Sequence, residues 1–195
     1  SSVKCAVVES LSLNIIAVAS QEYPLSYPHP AYIEQNPHDW WDATVRAIQE
    51  VLFLAQISEI DAISFSGQMH GTVLLGSDGQ LIHPAIIWAD QRSKDVLNEL
   101  VDTVGKEKFV SLTGTQPATG FLGATLVWLK RHRSELLGQV EHVILPKDYI
   151  RYRMTGDITT DVSDAAGTGI FDIRECQWAW EIIEKAELPN HIFPE

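Results

Sequence analysis

The pattern of apolar and polar positions predicts strands and helices that alternate along the chain. Two β-rich runs, Val3–Glu9 and Leu13–Ala19, are separated by three residues and therefore predict an antiparallel hairpin. The stretch Tyr23–Tyr32 holds three prolines and three tyrosines, which is typical of an extended or looped segment. Asn36 is a good N-cap and Pro37 suits the first helical position, so a helix is expected to begin there.

This helix is the clearest in the sequence because its apolar residues repeat at helical spacing. Trp40 and Trp41 are expected to dock it onto a sheet. A short apolar run, Ile60–Ser66, follows the helix and predicts a buried strand. Hairpin, helix and strand in this order indicate an α/β protein.

The turn after that predicted strand carries unusual side-chain chemistry. Gln68, Met69 and His70 stand between Gly67 and Gly71, and glycines permit backbone angles and close approaches that a Cβ would block. Open α/β sheets bind ligands where strands end. The turn is therefore either a ligand site or an ordinary turn whose histidine is satisfied by its neighbours.

A second group of polar residues follows an apolar segment farther along. Thr72–Leu75 and Gln80–Trp88 predict a hairpin, with a kink at its proline. Asp90 and Arg92 come just after it. They could form an ion pair, cap a predicted helix at Ser93–Val104, or line a pocket.

The second half of the chain continues the alternation of helices and strands. The predicted elements are helices at Leu122–Arg133, Lys147–Met154 and Trp178–Ala186, a strand at Val140–Leu145 and a loop at Ile158–Asp172. The aspartates of that loop are expected to be solvated or to cap the backbone, since their spacing matches no calcium loop.

Composition narrows the class of partner. The 195 residues are enough for one large or two small domains, and the formal charge is −12. That charge argues against nucleic acid or an anionic membrane as a general partner but leaves one phosphorylated ligand open. No signal peptide or transmembrane run is visible, so a cytoplasmic location is expected. Cys5 and Cys176 are expected to be small core residues, with a disulfide as the less favoured alternative.

Several blocks of the sequence together resemble the FGGY family of carbohydrate kinases. They occur in that family's order and cover almost the whole chain: Asn36–Trp41, Gly67–Gly71, Pro84–Ser93, Leu145–Gly156 and Thr160–Thr168. The resemblance implies an actin-like, ribonuclease-H-like α/β fold. It further implies that residues 1–195 are the sugar-binding N-terminal domain of a two-domain kinase.

The resemblance also implies a reaction. The family transfers the ATP γ-phosphoryl group, with magnesium, to a sugar hydroxyl. The Met69–His70 pair is similar to the branch that acts on D-xylulose and forms D-xylulose 5-phosphate, so these two residues and Gln68 are expected to contact the sugar. A kinase for another polyol or ketose, or a non-catalytic sugar-binding module, remains an alternative, and a homodimer is possible.

Parts of the family's machinery are expected outside this chain. The first strand and the phosphate-binding turn should stand just before Ser1, so only Ser1, Ser2 and Lys4 are expected to contribute to phosphate binding. The catalytic aspartate and the adenine site belong to the C-terminal domain of the family. Both ends of the chain look cut, and the 195-residue chain alone is expected to be inactive.

One position departs from the family's pattern. Relatives place a lysine in the helix before Trp128, where this chain has Thr125. Loss of that cation puts any charge-based role of the position in doubt and could shift sugar preference away from xylulose.

Overall fold

The computed structural model describes residues 1–195 and begins with a hairpin packed on a long helix. β1 (Ser2–Val8) pairs antiparallel with β2 (Ile15–Glu22), and α1 (Pro37–Ala55) packs on both strands. The side chain of Asn36 accepts a hydrogen bond from the backbone N–H of His38 at 3.1 Å, which caps the helix. The predicted hairpin and first helix are confirmed.

Shorter elements make up the rest of the chain. In chain order they are β3 (Ser26–His29), β4 (Tyr32–Gln35), β5 (Val73–Leu75), β6 (Ala85–Ile86), α2 (Leu97–Asp102), α3 (Lys106–Thr113), α4 (Leu122–His132), α5 (Ser134–Leu137), β7 (His142–Ile144), α6 (Pro146–Thr155), α7 (Val162–Ala165), β8 (Phe171–Asp172), β9 (Gln177–Trp178) and α8 (Trp180–Lys185). The predictions of helices at α4, α6 and α8 and of a strand at β7 are confirmed, with shifted ends.

Three small sheets connect these elements. β3, β4 and β6 form one sheet in that order, β5 pairs antiparallel with β7, and β8 pairs with β9. The hairpin predicted for Thr72–Leu75 with Gln80–Trp88 is confirmed at its turn, where the Gly76 N–H donates to the Gln80 carbonyl at 2.9 Å. Beyond the bend before Pro84, Ile86 still pairs with Thr72 of the first arm through two backbone hydrogen bonds of 2.8 Å and 3.1 Å. The residues of β6 also pair with β4.

The prediction of a buried strand at Ile60–Ser66 is wrong for this structure. The segment forms no ladder, and the side chains of Ile60 and Ile63 are 50% and 58% exposed. A continuous apolar run becomes a buried strand only where partner strands pair with it and other layers cover both faces. No strand of this chain pairs with 60–66.

Two further expectations need correction. The segment Ile158–Asp172, expected to be a loop, contains α7 and a 3₁₀ turn at Ala166–Thr168. Both thiols are free, as expected, but Cys176 is exposed and Cys5 is only half-buried. Cys176 occupies the tight turn between β8 and β9, with a φ of +52°.

Two apolar clusters hold the elements together. The larger contains 26 buried residues and includes most of α4, which is buried on nearly every side from Leu122 to Leu129. The smaller lies where α1 meets β5, β7 and α6, and it includes Trp40, Val73 and Tyr149. Trp40 therefore docks the first helix as predicted. No helix of the chain combines the length and hydropathy that crossing a membrane requires.

Candidate functional site

The turn at His70 has a backbone conformation that residues other than glycine rarely adopt. His70 has a φ of +56° and Gly71 a φ of +83°, and the left-handed region costs a non-glycine residue of order 1 kcal/mol. The Gly71 N–H donates to the carbonyl of Gly120 at 3.2 Å. Neighbouring elements thus hold the turn in a conformation that the sequence alone would disfavour.

The imidazole of His70 is fixed by two contacts from distant parts of the chain. Its Nδ1 lies 2.7 Å from the carbonyl oxygen of Gly167, and its ring stacks on Phe121 with a centroid distance of 4.1 Å. A carbonyl oxygen can only accept, so Nδ1 carries the hydrogen and donates. In the neutral ring Nε2 is then a hydrogen-bond acceptor, suited to a ligand hydroxyl.

Exposed apolar groups belong to the same part of the molecule. Met69 is 60% exposed and Trp88 is 51% exposed. Gly120, which accepts the hydrogen bond from Gly71, packs so closely on Trp88 that a Cβ would lie 2.2 Å from the Trp88 carbonyl oxygen. An imidazole acceptor and exposed thioether and indole groups on neighbouring segments are groups that can bind a sugar through its hydroxyls and its C–H faces.

Gln68 points into a different network. Its Nε2 donates to Oε1 of Gln35 at 2.9 Å, and the same oxygen accepts from the indole N–H of Trp40 at 3.1 Å. Gln35 is buried, so this network joins the turn to α1. Sequence reasoning missed Gln35, and no local pattern marks it. A sugar contact by Gln68 stays a prediction.

A partly buried ion cluster lies behind the turn. Nζ of Lys147 is 2.6 Å from Asp148, 2.6 Å from Asp161 and 3.2 Å from Asp164, and its side chain is 12% exposed. Burial lowers the pKa of Lys147, but the hydrogen bonds to Asp148 and Asp161 and the nearby charges outweigh it, so the pKa is raised above 10.5. The hydrogen bond from Lys147 is also the main cause that lowers the pKa of Asp161.

Of the two expectations for these aspartates, solvation or backbone capping, capping holds for Asp161, whereas the Asp164 carboxylate pairs with Lys147. The Asp161 carboxylate accepts the N–H groups of Ser163 and Asp164 at 2.9 Å and 3.0 Å, which begins α7. The pairing of both aspartates with Lys147 was missed. The adjacent Lys147 and Asp148, which follow Pro146 at the start of α6, could have suggested an ion pair at this position. The sequence does not indicate which other acidic residues join it, because at least 13 residues separate Lys147 from Asp161 and Asp164.

We expect Asp161→Asn to destabilise the protein by about 1 kcal/mol near neutral pH, a value kept low because the side chain is half-exposed and screened. Asparagine retains the cap, so the loss reports the ion pair. The pKa of Asp161 is lowered below its ordinary 3.8 on folding, so its contribution is present above pH 4 and disappears as pH falls through the folded value.

Thermal melts between pH 3 and pH 7 measure this effect. Asp157→Asn is the control, because Asp157 is exposed and its carboxylate makes no hydrogen bond or ion pair. A gap between Asp161→Asn and the parent that stays constant down to pH 3 would contradict the assignment.

The ion pair predicted as one alternative for Asp90 and Arg92 is present, and the helix-capping alternative is not, because neither the 3₁₀ turn that begins at Arg92 nor α2 has a side-chain cap. The Arg92 guanidinium donates to both carboxylate oxygens of Asp90 at 2.9 Å and to Glu34 at 2.6 Å. Asp90 also accepts the Arg92 N–H at 2.9 Å, where a 3₁₀ turn begins. The guanidinium stacks over Tyr32 at 4.0 Å. All three charged groups are buried, and Arg92 also lines an open groove beside Tyr32 and Trp128.

The residues expected to bind phosphate lie elsewhere. Ser1, Ser2 and Lys4 are exposed at the start of the β1–β2 hairpin, and no hydrogen bond or ion pair joins their side chains to the His70 turn. Their role stays a prediction. The described residues do not fit a magnesium site, because the acidic side chains behind the turn enclose the Lys147 ammonium. Thr125 is buried in α4, and its hydroxyl has no hydrogen-bond partner.

Known proteins resemble this chain over nearly its whole length. The xylulose kinases of Escherichia coli and Bacillus subtilis are 34% and 37% identical, each over 92% of this chain. The xylulose kinase structure from Rhodospirillum rubrum superposes with a TM-score of 0.92, at 28% identity, and covers 99% of this chain. The chain spans 37%, 36% and 40%, respectively, of those three proteins.

These likenesses confirm the expected actin-like, ribonuclease-H-like α/β fold, because the solved kinase shares it across the whole chain. The model of the FGGY family of carbohydrate kinases, N-terminal domain, matches residues 1–195. The chain belongs to the FGGY family of carbohydrate kinases.

Proposed function

We propose that this chain is the sugar-binding domain of an ATP-dependent kinase that phosphorylates a ketopentose. The substrate we favour is D-xylulose, and the product is then D-xylulose 5-phosphate. The observation that carries the proposal is the His70 turn. The turn holds the His70 imidazole so that Nε2 can accept a hydrogen bond, and the preceding residue, Met69, is exposed. The similarity to xylulose kinases supports the same choice of sugar.

The site residues would act by positioning the sugar. Nε2 of His70 accepts a hydrogen bond from a sugar hydroxyl, and Met69 packs on the apolar face of the sugar. Held in this way, the reacting hydroxyl is aligned for in-line attack on the γ-phosphoryl group, and alignment supplies much of the rate in phosphoryl transfer. Magnesium, when bound in the whole enzyme, would neutralise charge on the transferred group.

The exposed apolar surfaces support a larger domain. β1 pairs with β2 along one edge only, and 60–66 exposes apolar side chains without any strand partner. We infer that a strand preceding Ser1 pairs with the free edge of β1 and covers part of this surface. The phosphate-binding turn, the catalytic aspartate and the adenine site would also belong to segments outside residues 1–195. A homodimer and a cytoplasmic location stay predictions.

A coupled assay of ADP release tests the function. The full-length protein is expected to turn over ATP with D-xylulose, and D-xylulose is expected to raise its melting temperature. The 195-residue chain, assayed beside it, is expected to show no turnover above a mock preparation. Turnover with a different polyol or ketose alone would reassign the substrate. A sugar-dependent thermal shift without any turnover would favour the non-catalytic module.

A further inference from the structure

We propose that Lys147 is a positioning residue: by holding the carboxylates of Asp161, which caps α7, and of Asp164 within α7, it keeps the Gly167 carbonyl on Nδ1 of His70 and so fixes the tautomer of the imidazole. The geometric part of the proposal stands on contacts within this chain. Its consequence for the sugar rests on the function proposed above.

The first step runs from Lys147 to α7. Its ammonium contacts Asp161, the residue that caps α7, and Asp164 within it, at 2.6 Å and 3.2 Å. α7 has only four residues, and so short a helix has no independent stability in water. Its position therefore depends on contacts such as these two ion pairs.

The second step runs from α7 to the imidazole. Gly167 lies in the 3₁₀ turn that directly continues α7. Its carbonyl accepts from His70 Nδ1 at 2.7 Å, and a Cβ on Gly167 would lie 3.1 Å from the same nitrogen. Such close packing leaves little room for α7 to shift without moving the carbonyl away from the ring.

Lys147 also touches the other end of the turn. Gly67 packs on its side chain so closely that a Cβ on Gly67 would lie 2.8 Å from the Cβ of Lys147. One side chain thus supports both the beginning of the turn and, through α7, the ring of His70. This double contact distinguishes Lys147 from the lysines of the surface ion pairs.

The chemical consequence is a choice of hydrogen-bond role. With the carbonyl in place, Nδ1 holds the hydrogen and Nε2 accepts. Without it, the neutral ring can carry its hydrogen on Nε2, which would then donate. A sugar hydroxyl bound to His70 would have to reverse its role, and the site would select less well for its substrate.

The test combines ¹⁵N spectroscopy with kinetics on the full-length protein. Labelled histidine reports which ring nitrogen carries the hydrogen, and the His70→Ala variant identifies the signal of His70. The parent is expected to show the hydrogen on Nδ1, and Lys147→Met is expected to lose that preference. The sugar KM is expected to rise about tenfold in Lys147→Met, while the ATP KM stays within about twofold, as a local change in the sugar site implies.

Two variants keep the test decisive. Lys108→Met removes an exposed lysine paired with Glu181 and is expected to change neither the tautomer nor either KM. Asp164→Asn removes one of the carboxylates that Lys147 contacts. It replaces Lys147→Met in the same measurements if Lys147→Met does not fold. An unchanged His70 tautomer in the variants, or a parent with the hydrogen on Nε2, would overturn the proposal. A changed tautomer with an unchanged sugar KM would support the positioning role and contradict the proposed sugar contact.

Discussion

Replacing His70 by alanine in the full-length protein is expected to lower kcat/KM for the proposed sugar substrate about 10- to 100-fold and to leave the KM for ATP nearly unchanged. The variant loses the acceptor at Nε2 and leaves the Gly167 carbonyl without its donor. A hydrogen bond lost in a partly desolvated site costs about 1–3 kcal/mol, and a 10- to 100-fold loss, about 1.4–2.7 kcal/mol, lies within that range. Steady-state kinetics with each substrate varied in turn measure the effect.

His70→Gln is the matched variant for this measurement. Its amide can still place an oxygen near the position of Nε2, so it is expected to retain more sugar activity than alanine does. Sugar kinetics that do not change in His70→Ala would remove His70 from the pocket. An equal loss of ATP affinity would indicate a general disturbance of the domain.

Gly120→Ala is expected to destabilise the protein by about 3 kcal/mol or more. Gly120 has a φ of +78°, and the added Cβ would lie 2.2 Å from the Trp88 carbonyl oxygen and 2.6 Å from its carbonyl carbon. Backbone atoms cannot rotate away as a flexible side chain can, so the loop or the Trp88 segment must move. For a chain of this size the melting temperature should fall by about 6–12 °C.

Gly156→Ala separates the clash from the backbone effect. Gly156 has a φ of +81°, and nothing lies within 4 Å of the Cβ that alanine would add. It is expected to cost only about 1 kcal/mol, the price of a left-handed alanine. Equal losses in the two variants, measured by thermal melts, would show that the contact with Trp88 is unimportant.

Elements with strong local signals could be predicted from the sequence. The hairpin of β1 and β2 has a short connection, and it forms as expected. The helix α1 has a capping asparagine and clear helical periodicity, and it also forms as expected. The residue types at Gly67–Gly71 also indicated a site. Its chemistry could not be predicted, because Gly167, which sets the tautomer of His70, lies 97 residues away in sequence.

The errors have a common physical cause. The run 60–66 has the composition of a buried strand, but burial depends on partners that the segment itself does not specify. Asp161 was expected to be solvated or to cap the backbone, yet its ion pair with Lys147 arises only when α6 and the start of α7 come together. Local sequence patterns predict helices, strands and caps, while tertiary contacts determine which segments are buried and which charged side chains pair.

The positive φ of His70 limits how the proposed sugar site can be engineered. Asparagine and glycine adopt this conformation at the lowest cost, whereas β-branched residues adopt it poorly. A library that varies position 70 freely would therefore contain many variants in which the turn is destabilised, because the new residue tolerates a positive φ poorly. A search for new sugar preference should begin with asparagine at position 70 and place its wider diversity at position 69, where the side chain is exposed.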